Sequence, residues 1–239
     1  MFSSKFLQKN PSVQERWYRS KFQKIFGHKL KILFLWHLHR KLNKNFRVVD
    51  KAINHAIDTT VFEYRRIDEN LFPATKQLFN IGLFFLLAER DVQALKADAF
   101  AHPNKTKRNI ALRTLLLTIY EWDMSKVTGR RMQFIYEVTG LSDTSKSAVV
   151  MALKELKKAR KDIESQLSET RHNTIAHREA DALRQYEIIT NLEITQFAPA
   201  LTKFYYASDI LLNALTTALI EISTTKSLFQ QVVHQQKNA

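Results

Sequence analysis

The chain has 239 residues, 45% hydrophobic and 11% aromatic with 16 Phe, so it holds enough apolar surface to order itself around a core without staples. It contains no Cys, which excludes a disulfide framework, thiolate zinc and iron–sulfur sites and a cysteine nucleophile, and is compatible with a reducing compartment. The 37 Lys and Arg outnumber 23 Asp and Glu for a formal charge of +14, and residues 1–50 alone carry twelve basic side chains against Glu15 and Asp50, a balance that suits a polyanionic partner.

Only 4 Gly and 4 Pro punctuate this length, too few for the tight turns of a sandwich, a barrel or a doubly wound sheet, and helices are favoured. Asn10-Pro11 reads as an N-cap followed by proline at the first helical position, opening a basic helix that stops near Gly27. A second basic helix runs from about His28 to Asn43, with Ile32, Leu35, Trp36, His39 and Leu42 along one stripe, and a third covers Val48 to Ile67. Residues 1–46 thus form a basic N-terminal helical extension and residues 47–239 a bundle.

Phe72-Pro73 starts a long apolar helix to about Phe100, closed by Pro103. Another spans Thr106 to Lys126, and a short one ends at Gly140 in a left-handed cap. Ser142 or Asp143 caps the clearest helix, in which Val149, Leu153, Leu156, Ile163 and Leu167 recur at helical spacing. After an interruption around Asn173 to Glu179 comes a shorter helix to about Thr190. The last begins near Thr195, accepts Pro199 in its first turns and presents Phe197, Leu201, Phe204, Leu211, Leu215, Leu219 and Ile222. No strand-like alternation competes, so the expected fold is an all-α bundle of roughly seven to nine helices. The longest apolar runs, Ile32 to Leu38 and Ile81 to Ala88, fall far short of the ~20 residues a membrane span needs. The expectation is a soluble, cytoplasmic chain with no integral membrane association.

Several chemistries drop out. Gly27, Gly82, Gly129 and Gly140 stand alone, so there is neither a P-loop nor a dinucleotide fingerprint. A di-iron bundle needs two Glu-x-x-His pairs, and only Glu169 to His172 has that spacing. His37 and His39 point about 200° apart on a helix; His39 tops the apolar stripe and His37 faces solvent. No metal or other cofactor is expected.

The densest polar constellation follows the clearest helix: Arg171, His172, Asn173, His177 and Arg178 lie within eight residues. Arginine grips phosphate through bidentate charge-assisted hydrogen bonds, and histidine titrates near neutrality. Those are the tools of RNA cleavage, in which a ribose 2′-hydroxyl attacks the adjacent phosphorus, His177 moves a proton and Arg171 stabilises charge on the phosphoryl oxygens. On a continuous helix Arg171 and His177 would stand roughly 9 Å apart along the axis and about 120° around it. Asn173 and His177, at i and i+4, would share a face and fix the imidazole tautomer. A two-fold axis would bring two such pairs into one groove, which argues for a homodimer.

This segment resembles the HEPN domains, all-helical modules whose ribonuclease members carry Arg-x(4 to 6)-His. Here five residues intervene, His172 fills the polar position after Arg171, and Ile175-Ala176-His177 is similar to the family's approach to its histidine. The resemblance covers residues 143 to 190. It implies a dimeric, metal-independent endoribonuclease with Arg171 and His177 catalytic and His172, Asn173 and Arg178 supporting, of the kind found in toxin–antitoxin and antiviral defence systems with an antitoxin or defence-system partner.

The basic arm supplies Arg16, Arg19, Lys21, Lys24, Lys29, Lys31, Arg40 and Lys41 as candidate contacts to an RNA backbone. Other readings stay open. Arg171 and Arg178 pair with Glu169, Glu179 or Asp181 while His177 caps a helix end, and the chain is a non-catalytic module that binds nucleic acid or an acidic partner. A third possibility is that Trp17, Phe22, Ile25, Phe26 and Trp36, with interleaved cations, lie on an anionic membrane surface.

Overall fold

Proline or a polar side chain sets several of the helix starts. The computed structural model describes residues 11–170 and 182–238, and the described residues form nine α-helices and no strand. Helix α1 (Pro11–Phe22) passes through one π-helical turn, Gln23–Gly27, straight into α2 (His28–Arg66), and the expected Asn10 cap lies outside the described residues. Neither expected break occurs. Gly27 keeps helical angles, φ −58° and ψ −39°, because one interior glycine costs only about 1 kcal/mol against its neighbours' propensity. Lys44-Asn45-Phe46-Arg47 contains no breaker, so α2 continues unbroken through residue 46 for 39 residues.

Helix α3 (Pro73–Ala101) carries proline at its first turn, and α4 (Lys105–Glu121) is capped by the Asn104 side chain, which accepts from the Lys107 amide at 3.0 Å. The latter stops five residues short of the expected Lys126. Asp123 accepts from the Ser125 amide and starts a separate 3₁₀ turn, Met124–Lys126. Helix α5 (Arg130–Val138) ends as expected before Gly140, whose φ of +63° only glycine adopts freely; a Cβ there would also strike the Gln230 side chain. Of the two candidate caps for α6 (Asp143–Thr170), Ser142 serves: its hydroxyl accepts from the Ser145 amide at 3.3 Å. Helices α7 (Ala182–Asn191) and α8 (Ile194–Ile222) match expectation, but α8 is not the last. Ser223 and Thr224 break it, and α9 (Thr225–Asn238) follows.

Helices α3, α4, α6 and α8 form the bundle. α3 packs on α4 and α8, and α6 closes the ring against α8 and α4. Leu78, Ile81, Leu115, Ile119, Leu156, Ile163, Leu167 and Phe204 are fully buried within it, and Trp122 stands edge-on to both Phe85 and Phe204 at 5.4 and 5.8 Å. At Gly82 an added Cβ would sit 3.2 Å from Leu219 Cδ1, so the missing side chain lets α3 and α8 close together. α5 buries Met132, Ile135 and Val138 and packs on α3. α2 lies along α3 as an outer layer and buries Ile53 and Thr60.

The far end of the bundle is tied by side chains. Phe72 offers α3 no side-chain cap; instead fully buried Gln231 of α9 accepts from the Thr75 amide at 3.2 Å and donates to its hydroxyl at 2.7 Å. Ser227 donates to the Thr139 carbonyl at 2.7 Å. Glu221, near the end of α8, accepts from the amide and hydroxyl of Ser142 and from the Ser145 hydroxyl, fastening the start of α6.

Candidate functional site

The five motif residues, Arg171, His172, Asn173, His177 and Arg178, lie outside the described residues, as does the Glu169–His172 spacing at its histidine. The frame on either side is well held. α6 buries Ile163 and Leu167 in its final turns, and Leu192 is buried just beyond α7. Arg160, midway along α6, donates to the Ile119 and Tyr120 carbonyls at 3.2 and 2.6 Å, so α6 satisfies the frayed end of α4. α7 is fastened to α4 by Asn109, whose amide donates to the Ile189 carbonyl at 3.0 Å.

One turn further along the same face of α4 is Arg113. Its buried Nε has no hydrogen-bond partner among the described residues, and burial lowers the guanidinium pKa below its ordinary value. A half-buried guanidinium with a spare donor, beside the helix that follows the motif, is a functional candidate that the sequence did not single out. The signal was present as two polar residues, Asn109 and Arg113, spaced by four on a helix whose other inward positions are Leu112, Leu115, Leu116 and Ile119.

All eight candidate backbone-gripping cations are described, and all are exposed: Arg16 and Arg19 on α1, Lys21 and Lys24 around the π turn, Lys29, Lys31, Arg40 and Lys41 on α2. Arg19 pairs with Glu15 at 3.6 Å, Lys21 lies 4.3 Å above the Trp17 ring and Arg40 5.6 Å from that of Trp36.

Two further polar clusters emerge only in three dimensions. His37 is exposed, as expected, but His39 is more than an end to the stripe: its Nε2 donates to Asp98 of α3 at 2.6 Å and its ring stands 5.1 Å from that of His102. Asn43, one turn on, reaches the same imidazole at 3.2 Å. Among the described residues no three His, Asp or Glu side chains converge as metal ligands. The second cluster is interior. Buried Glu89 accepts from Gln93 at 2.6 Å and from the Ser208 hydroxyl at 2.5 Å, joining α3 to α8. Burial first, and Glu89 second, drives the Tyr205 hydroxyl pKa well above its ordinary range, and that hydroxyl donates to the Val92 carbonyl at 3.2 Å. Lys96, 4.0 Å above the Tyr205 ring, has its pKa lowered by burial, opposed by Glu89. Each hydrogen-bonding group of Glu89 has a partner, so the network fastens two helices rather than offering a free nucleophile.

Comparison with known proteins returns no match: no family model, no curated protein and no solved structure is similar to this chain.

Proposed function

We propose that the chain is a metal-independent endoribonuclease of the HEPN type, acting in the cytoplasm as a homodimer, as a toxin or antiphage defence effector. One observation carries this reading: Arg171 and His177, with His172, Asn173 and Arg178, fall in the eleven-residue stretch between α6 and α7 of an all-helical bundle. In the proposed reaction the imidazole of His177 accepts the proton of the attacking ribose 2′-hydroxyl, and a protonated imidazole across the dyad supplies one to the departing 5′-oxygen. The Arg171 guanidinium holds the phosphoryl oxygens as charge builds on them. Arg113 of α4, one turn beyond the Asn109 that fastens α7, supports this reading as a half-buried cation whose Nε has no hydrogen-bond partner among the described residues.

Incubation of purified protein with RNA in EDTA is the test. Cleavage is expected to persist in the chelator and to fall by roughly 10²- to 10⁴-fold in His177→Ala and Arg171→Ala. Activity lost on chelation, or equal in wild type and variants, rejects the mechanism. The exposed cations of α1 and α2 favour a second reading, a non-catalytic polyanion-binding module. It predicts salt-sensitive RNA retention that Arg171→Ala and His177→Ala leave unchanged.

A further inference from the structure

The helix formed by α1, the π turn and α2 runs for 12, 5 and 39 residues, about 80 Å in all, and much of it extends past the bundle. α3 reaches back along it only as far as the contact between Asp98 and His39, and no residue of α1 is buried. Along this projecting part, Phe22, Phe26, Leu30 and Leu33 recur at spacings of four, four and three, which sets them on one side of the helix. They are 58%, 47%, 54% and 62% exposed, and the rings of Phe22 and Phe26 touch at 4.9 Å. Monomeric proteins seldom leave such a row uncovered.

Charge and shape select the occupant. Between residues 11 and 38 the arm carries Arg16, Arg19, Lys21, Lys24, Lys29 and Lys31 against the single acid Glu15. Two arms laid together would therefore set like charges against each other. Leucine neither stacks on bases nor bonds to phosphate, so Leu30 and Leu33 have no use on RNA. A lone convex helix also offers no groove for a peptide. A lipid interface needs no groove: it accepts apolar side chains at the boundary between headgroups and acyl chains, while flanking lysines extend to the phosphates.

We propose that the projecting N-terminal helix docks on an anionic membrane surface through Phe22, Phe26, Leu30 and Leu33, with the neighbouring lysines on lipid phosphates. The proposal is independent of the cleavage reading, which is assayed without lipid.

The test uses the full chain with vesicles of phosphatidylcholine alone and of phosphatidylcholine with phosphatidylserine, followed by co-sedimentation and tryptophan emission. The protein is expected to sediment with the anionic vesicles, with a blue shift from Trp36. Phe22→Ser combined with Leu33→Ser should weaken binding about tenfold or more at an unchanged melting temperature. Absence of sedimentation, or binding indifferent to this pair, overturns the proposal. RNA retention that falls with the same pair while vesicle binding does not would make the arm a nucleic-acid grip and overturn it as well.

Discussion

Phe204 and Phe22 are the same residue type on long helices, one completely enclosed and the other 58% exposed. Phe204 meets Trp122 edge-on inside the core, whereas Phe22 has Phe26 beside it and open solvent beyond. Helical patterning fixes where an apolar row lies and not what covers it. In the bundle the chain covers its own rows; on the arm it does not. The first region therefore carries stability and the second is available to act on something else.

The sharpest way to break this contrast is to truncate both rings. Phe204→Ala should destabilise by about 3–5 kcal/mol in urea unfolding, and Phe22→Ala by no more than about 0.5 kcal/mol. Comparable losses would make the arm part of the core. A smaller effect tests whether the bundle's far end depends on its last helix. Gln231→Ala strips buried Thr75 of its amide and hydroxyl partner and should cost about 1–3 kcal/mol, with faster amide exchange in the first turn of α3.

The smallest concerns Glu221. The Ser145 hydroxyl bond, opposed by burial and reinforced by Ser142 and Lys226, holds its pKa below the ordinary 4.5. The folded protein thus binds this proton less readily than the unfolded chain, so the carboxylate stabilises above pH 4.5 and that gain disappears as pH falls through the folded value. Glu221→Gln should cost at most about 1 kcal/mol at pH 7, solvent screening the exposed carboxylate, and nothing in acid below the folded pKa, read from melts across the range. A deficit that persists in acid would show that shape rather than charge binds α8 to α6.

The sequence made much of the bundle legible because its signals are local. Pro73, Ser142 and Gly140 act within a turn of themselves, and Leu156, Ile163 and Leu167 declare a face by spacing alone. Gly27 misled because a glycine's helical penalty is small enough for a 39-residue neighbour to absorb. α9 was missed because few of its residues are apolar and its role is tertiary: Gln231 meets Thr75 across 156 positions, which no window detects. The Arg171–His177 run stood out in the sequence as a dense set of polar side chains, and it lies outside the described residues. Arg113 did not stand out, since its distinction is a buried nitrogen with no partner among the described residues, and the Asp98 that engages His39 lies 59 residues away.

The pairing of Gln231 with Thr75 also fixes an order of events during synthesis. The turn between α3 and α4 needs only neighbouring residues and can form as soon as it leaves the ribosome, but the opposite end of α3 keeps an uncapped amide until residue 231 has been made. A nascent chain therefore carries a half-fastened bundle of helices until α9 has been added.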